Sequence, residues 1–290
     1  MGAPVPSIRQ KAEALAGRFP PLLLAAQRVA ATVSIGEHRR RRAGAGESFW
    51  QFRPYQPFDS ARLVDWRRSA QGDTTFVRER EFETAQSIWL WCDSSPSMDW
   101  HSERDLPTKR ERAALLTMAL AVLLIEAGER VGLLGEPMLP KSGKATLEPI
   151  AELLELGQSG SGLPSHEGLP RHSQLLLIGD FLDPLAETDA LIRGWAQNGC
   201  SGHLLQVLDP SEESFPYEGR VQFEGLENES AELLGRAEQV RDAYISRLTR
   251  HRDGLAAMTK AIGWSFAHHH TSSSPQSALL PLHLRLSGQG

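Results

Sequence analysis

This chain of 290 residues has little cysteine, few long apolar runs and no excess of positive charge. Cys92 and Cys200 are its only cysteines, which predicts reduced thiols rather than a disulfide framework. The formal net charge of -5 gives no general attraction to nucleic acid or to anionic membranes. The composition therefore argues against a disulfide-rich domain and against a nucleic-acid-binding protein.

The sequence has no obvious membrane anchor. Residues 1–10 lack the apolar core of a signal peptide. The run from Ala113 to Ile125 is apolar apart from Thr117, but it is shorter than the roughly 20 residues that a transmembrane helix needs. We expect this run to form a buried helix, and we expect a cytoplasmic protein without membrane insertion.

Familiar catalytic motifs are also missing. The sequence contains no G-x-x-x-x-G-K-[ST] phosphate-binding loop and no G-x-S-x-G nucleophile elbow. The sequence therefore indicates neither a P-loop nucleotide-binding protein nor a serine hydrolase.

The chain does contain an apolar strand that ends in a carboxylate, Ser87-Ile-Trp-Leu-Trp-Cys-Asp93-Ser-Ser95-Pro-Ser97. Its lack of strict alternation is typical of a strand buried on both faces of a parallel sheet. Asp93, Ser95 and Ser97 follow at the carboxyl end, where open α/β sheets bind ligands. One carboxylate and two hydroxyl oxygens suit Mg²⁺ or Mn²⁺. A polar turn in which Asp93 caps the next helix is the alternative interpretation.

Strands and helices alternate through residues 86–290, which predicts an α/β domain with a doubly wound, mostly parallel sheet. Asp180 and Asp209 end two further predicted strands. A strand order of 3-2-1-4-5 would place the Asp93 and Asp180 strands side by side at the switch point. We interpret Asp183 as a helix N-cap and Asp209 as a turn residue.

Two segments precede this domain. Residues 1–45 are predicted as helices followed by a basic linker, and residues 46–85 as a small β-rich attachment with a strand over 74–82. Aromatic and charged side chains alternate in the second segment, although its acidic residues argue against single-stranded nucleic acid. Our candidate partner-binding residues in it are Arg53, Tyr55, Asp59, Arg62, Asp65 and Trp66.

The same segment resembles a known family. The run from Gly46 continues through Phe52-Arg53-x-Tyr55-x-Pro57-x-Asp59, Arg62-x-x-Asp65-Trp66, Ser69-Ala70 and Val77-Arg78-Glu79. This series is similar to the domain-of-unknown-function family 58, with Phe58 in place of the usual glycine. In that family the block precedes a von Willebrand factor A-like domain with a D-x-S-x-S strand.

The resemblance implies a metal-ion-dependent adhesion site. Ser95 and Ser97 would bind Mg²⁺ or Mn²⁺ directly, and Asp93 and Asp180 largely through water. A partner's carboxylate would complete the shell. The family's threonine, on a Gly-Gly-Thr loop, has no counterpart here.

The resemblance also implies a non-catalytic adaptor that works with a MoxR-type AAA+ ATPase on a client protein. The alternative function is a metal-dependent hydrolase of phosphate esters that would use the aspartates and the basic run His38–Arg42.

A short histidine run near the C-terminus raises the question of zinc. His268 and His270 can share one strand face, but no cysteine or acidic residue follows at ligand spacing. We interpret this run as a polar strand end.

Overall fold

The computed structural model describes residues 20–41, 51–56, 64, 66–70, 72, 74–79, 86–157, 162–164, 169–226 and 231–286. The chain divides into two compact units, the larger formed by Met1–Ser34 with Gln86–Gly290 and the smaller by Ile35–Ala85. The predicted segments were 1–45, 46–85 and 86–290. Of the described N-terminal residues, 20–34 belong with the larger unit.

The helices and strands follow one another along the chain. The first are α1 (Pro21–Arg41), β1 (Gln51–Pro54), α2 (Trp66–Ser69), β2 (Phe76–Glu79), β3 (Ser87–Cys92), α3 (Lys109–Glu126), β4 (Arg130–Leu133) and α4 (Leu147–Leu156). They are followed by β5 (Gln174–Gly179), α5 (Leu185–Gln197), β6 (Ser201–Leu208), α6 (Pro210–Ser214), β7 (Val221–Phe223) and β8 (Glu232–Leu234). The last are α7 (Arg241–Ala261), β9 (Ser265–His270) and α8 (Pro275–Leu286).

A parallel sheet of five strands forms the centre of the larger unit, in the order β4-β3-β5-β6-β9. With helices packed on it, the unit is an α/β domain with a Rossmann-like arrangement, as the alternation of strands and helices predicted. The predicted neighbours β3 and β5, which lead to Asp93 and Asp180, lie side by side. Their carboxyl ends therefore meet at one edge of the sheet.

The predicted strand order of 3-2-1-4-5 was wrong at its outer end. The five strands, numbered along the chain, run 2-1-3-4-5. After β4 the chain forms only a single antiparallel bridge, between Val131 and Lys141, rather than an outer strand. Pro140 explains this, because it has no N–H to donate to a longer ladder.

Strand β3 is buried on both faces. Ile88, Leu90 and Cys92 belong to the core on one side of the sheet, whereas Trp89 and Trp91 belong to the core on the other. This burial explains why the apolar residues of the strand do not alternate with polar ones.

Helix α3 is an 18-residue helix of the core. Thr108 accepts a hydrogen bond from the Glu111 N–H and donates its own N–H to the Glu111 carboxylate, which forms a complete capping box. Gly128, at φ +93°, ends the helix in the left-handed conformation that favours glycine. The run from Ala113 to Ile125 is almost wholly buried, as predicted.

The first and last helices share one core. Leu23, Ala26, Ala30 and Val33 of α1 belong to the same apolar cluster as Ala278, Leu279, Leu282 and Leu286 of α8. Gln276 Nε2 donates to Thr32 Oγ1 at 3.0 Å, and the Leu22 N–H donates to Glu155 Oε1 at 3.0 Å. Residues far apart in sequence therefore close one side of the domain.

The smaller unit contains an antiparallel pair of strands, in which Gln51 pairs with Glu79 and Pro54 with Phe76. The Phe76 N–H also donates to Ser69 Oγ of α2, at 2.9 Å. Strand β2 lies inside the predicted strand 74–82 and outside the central sheet.

Strands β7 and β8 form a separate antiparallel pair. Helix α7 has 21 residues. No helix in the described parts of the chain is both long and apolar enough to cross a membrane.

Candidate functional site

The candidate site lies at the carboxyl ends of β3 and β5. The Asp93 N–H donates to the carbonyl of Ile178 at 2.8 Å, so the pairing of the two strands continues up to the aspartate. The Asp93 side chain lies against Gly179, where an added Cβ would be 2.8 Å from the Cβ of Asp93. A glycine at the end of β5 therefore lets the carboxylate approach the neighbouring strand.

The two predicted serines lie beside these strand ends. The Ser95 N–H donates to Asp93 Oδ1 at 2.9 Å, which folds the loop back on the carboxylate. Ser95 Oγ and Ser97 Oγ are 3.0 Å apart, and Ser97 Oγ donates to Asp180 Oδ2 at 2.9 Å. The structure thus brings Asp93, Ser95, Ser97 and Asp180 together.

Asp180 is held on both its side chain and its backbone. The Leu182 N–H donates to Asp180 Oδ1 at 3.3 Å, and Gln206 Nε2 donates to the Asp180 carbonyl at 2.8 Å. The next residue, Phe181, is left-handed with φ +47°, a conformation that costs about 1–2 kcal/mol outside glycine. Its ring is buried against Trp91, and its carbonyl accepts a hydrogen bond from His251 Nε2 at 2.7 Å. These contacts stabilise the strained loop.

Lys109 is a member of the site that the sequence did not predict. Its Nζ donates to Asp180 Oδ2 at 2.9 Å and to Glu212 Oε1 at 2.7 Å, and its side chain is only 1% exposed. The signal was its position at the start of α3, one and two turns before Ala113 and Leu116 on the same buried face. A charged residue on an apolar face of a helix needs a partner, and here it has two.

The site carries more negative than positive charge. Burial and the nearby charge of Asp180 raise the pKa of Asp93 to about 7. Burial alone would lower the pKa of Lys109, but the charges and hydrogen bonds of Asp180 and Glu212 outweigh it and raise that pKa. Lys109 pairs with two carboxylates, Asp180 and Glu212, and Asp93 adds a third acidic group close to Asp180.

The oxygen atoms have spacings that fit a small hard cation. In an octahedral shell at about 2.1 Å, neighbouring ligand oxygens lie about 3.0 Å apart. The Ser95–Ser97 oxygen pair, at 3.0 Å, has this separation, and Ser97 Oγ donates to Asp180 Oδ2 at 2.9 Å. All four residues offer oxygen ligands, as Mg²⁺ and Mn²⁺ prefer. The donor set therefore fits the predicted cation.

The other two aspartates have different hydrogen-bonding and packing partners. Asp209 accepts hydrogen bonds from the N–H groups of Ser211 and Ser102, at 2.8 and 3.0 Å, and caps α6. The N-cap of α5 is Pro184 rather than Asp183. The Asp183 side chain lies against Gly162 instead, where an added Cβ would meet it at 2.7 Å. The prediction of Asp183 as an N-cap was wrong by one position.

A groove of about 1020 Å³ opens beside the site. Ser95, Ser97, Lys109 and Asp180 line one part of it. Another part is lined by Phe215, Tyr217, Phe223 and Tyr244, whose rings pack within about 6 Å of one another around Phe215. The groove can therefore offer both polar and aromatic contacts to one ligand.

Residues 51–254 match a family described as protein of unknown function DUF58. The chain belongs to the DUF58 family. Uncharacterized proteins of Mycobacterium bovis and Mycobacterium tuberculosis are each 25% identical to it over 244 residues, covering 79% of this chain and 76% of theirs.

Two solved structures are similar to parts of this DUF58 protein. A conserved hypothetical protein, BatB from Bacteroides thetaiotaomicron, has a TM-score of 0.39 at 16% identity, with 71% of this chain and 100% of that chain covered. An aerotolerance-related membrane protein from Bacteroides fragilis has a TM-score of 0.41 at 17% identity, with 69% and 100% covered.

The predicted partner-binding residues of the DUF58 protein lie in the smaller unit. Tyr55 and Trp66 are 38% and 68% exposed, and Arg53 pairs through its backbone with Val77. The remaining three, Asp59, Arg62 and Asp65, lie outside the described residues.

Proposed function

We propose that this DUF58 protein is a non-catalytic, protein-binding adaptor with a von Willebrand factor A-like domain. In this proposal Asp93, Ser95, Ser97 and Asp180 hold Mg²⁺ or Mn²⁺, and the cation captures a carboxylate of a partner protein. The single observation that carries the proposal is the convergence of two carboxylates and two hydroxyls at the ends of β3 and β5.

The groove supports a protein ligand. The candidate cation position lies at one part of it, and aromatic rings line another. A partner segment with an acidic side chain near an apolar one would match both parts, because aromatic side chains supply much of the energy of protein interfaces.

The adaptor's energy source in this proposal is a MoxR-type AAA+ ATPase, which would act with it on a client protein. This element of the proposal comes from the family resemblance of residues 46–98. Tyr55 and Trp66, both exposed, are the candidate contacts with one of these partners.

The alternative, a hydrolase of phosphate esters, receives less support. Such an enzyme needs positive charge directed at the phosphate. The described ion pairs of Lys109 direct its charge to Asp180 and Glu212 instead. The described residues that line the groove include no histidine or cysteine that could act as a base or nucleophile.

Binding of Mn²⁺ to the full chain, followed by electron paramagnetic resonance, tests the cation. Asp93→Ala should weaken Mn²⁺ binding by more than about 10-fold, because it removes a carboxylate that holds the cation through water. Asp253→Ala, at an exposed position of α7, is the matched control and should bind normally. Equal affinity in all three proteins would contradict the cation site.

Calorimetry with the MoxR-type ATPase of the same organism tests the adaptor role. We expect binding that EDTA and Asp93→Ala each abolish, with little further effect of EDTA on the variant. Circular dichroism checks that the variant is folded. Binding that persists under both conditions would rule out a cation-bridged contact with this partner.

A further inference from the structure

A second group of potential ligands lies at the outer strand of the sheet. Ligand atoms of Glu213, His268 and His270 all lie within 4.8 Å of one another. His270 Nε2 and Glu213 Oε2 are 2.8 Å apart, and the two imidazole rings have centroids 6.0 Å apart. None of these residues belongs to the oxygen cluster around Asp93.

The backbone explains how the three side chains meet. Side chains two apart on a strand share one face, so His268 and His270 of β9 lie together. His269 is on the other face, where its Nε2 is 3.2 Å from Arg112 Nη1. Strand β6 runs parallel to β9, with Leu208 paired to His270, and passes directly into α6. This short helix carries Glu213 to the histidine pair.

Helix α6 is fixed at its start, which holds the carboxylate in place. Asp209 and Glu212 form a capping box, and Pro210 occupies the first turn. Glu212 is also tied to Lys109. The two adjacent glutamates therefore have different partners. Glu212 pairs with the ammonium group of Lys109, and Glu213 lies beside the two imidazoles.

Arg252 of α7 completes the arrangement. It pairs with Glu213 Oε1, while Glu213 Oε2 is the oxygen that faces His270. In metal sites the ligating carboxylate is commonly held by a hydrogen bond from a residue behind it, which fixes its orientation. Arg252 can have that positioning role, with Oε2 left as the ligand atom.

We propose that Glu213, His268 and His270 bind a borderline divalent transition-metal ion, with Zn²⁺ as the physiological candidate. Two imidazole nitrogens and one carboxylate oxygen are a donor set that Zn²⁺ accepts, and three protein ligands leave a fourth position open to water or to a ligand. Imidazole ligands favour Zn²⁺ over Mg²⁺. The chain would then separate two kinds of cation, the hard ion at Asp93 and the softer one at β9.

Zinc and cobalt binding to the full, untagged chain test this proposal. Titration with Zn²⁺ against a chromogenic chelator should give one strong site. Co²⁺ in that site should give intense visible absorption bands, which four-coordinate Co²⁺ with imidazole ligands produces and hydrated Co²⁺ does not. His268→Ala and His270→Ala should each weaken Zn²⁺ binding at least about 10-fold and remove the bands.

Two further variants separate this site from general effects. Glu213→Gln keeps the side-chain shape and should also weaken Zn²⁺ binding, with circular dichroism showing that the variant is folded. His101→Ala removes an exposed histidine elsewhere and should bind as the wild type does. Asp93→Ala should leave Zn²⁺ binding unchanged, so failure of the adaptor proposal would not affect this one. Absence of strong Zn²⁺ binding in the wild type, or equal binding in His268→Ala and His270→Ala, would overturn the proposal.

Discussion

Asp93 is a buried acid, only 2% exposed, whose ionisation opposes folding when no cation is bound. Burial and the charge of Asp180 raise its pKa from 3.8 to about 7. Between these two values the unfolded chain loses the proton while the folded chain keeps it. The folded state then binds more protons, so stability falls as pH rises through this window.

The stability of the wild type in EDTA should therefore decrease relative to Asp93→Asn between about pH 4 and pH 7, and the difference should level off above pH 7. The full effect is on the order of 4 kcal/mol, from a pKa shift of about three units. Urea unfolding of both proteins at several pH values measures it. A difference that stays constant with pH would show that Asp93 titrates normally in the folded protein.

Gly179 controls how closely Asp93 can approach the neighbouring strand. In Gly179→Ala the new methyl group would meet the Asp93 side chain and the Trp91 ring, at 2.8 and 3.1 Å. Overpacking of this kind costs about 1–3 kcal/mol, and we expect weaker Mn²⁺ binding because Asp93 must move. Gly235→Ala is the control, since an added Cβ there meets nothing within 4 Å. Equal stability of the two variants would mean that the strand ends adjust without cost.

At the scale of elements, α3 shows what the sequence predicted well. Its apolar run from Ala113 to Ile125 predicted a buried helix, and the structure adds the capping box of Thr108 and Glu111 at its start. The same holds for β3 and β5, whose apolar runs end at Asp93 and Asp180. Such local signals are sufficient for long elements of strong pattern.

A buried leucine in α3 should accordingly be costly to truncate. Leu120 is fully buried, so Leu120→Ala should lower the free energy of unfolding by about 2–5 kcal/mol, from lost burial and the cavity left behind. Leu156→Ala, at a position that is 80% exposed, should change it by less than about 0.5 kcal/mol. Chemical denaturation decides, and a loss below about 0.5 kcal/mol for Leu120→Ala would indicate a loosely packed helix.

Short elements and distant pairs were beyond sequence reasoning. Strands β7 and β8 have only three residues each, too few to establish a period, and their pairing was missed. Lys109 and Glu212 form an ion pair across more than a hundred residues, and Glu213 approaches His270 in a similar way. No spacing rule connects residues that only the strand order brings together, so the second cluster could not be predicted from its histidines.

At the scale of the whole molecule, the candidate site combines residues that the sequence predicted with others that it did not. Asp93, Ser95 and Ser97 follow one strand and were predicted from their spacing. Asp180 was predicted from the rule that parallel strands end at one edge. Lys109 and the groove depend on how α3, α6 and α7 pack around that edge, which is decided by the complete fold.

The contact between α1 and α8 has a consequence for biosynthesis. Val33 and Leu279 share one core, yet a ribosome adding about 5–20 residues per second needs roughly 10–50 s to reach the second after the first. During that interval the apolar stripe of α1 has no α8 to cover it. The apolar stripe of a segment synthesised early therefore gains its last partner only when synthesis is almost finished.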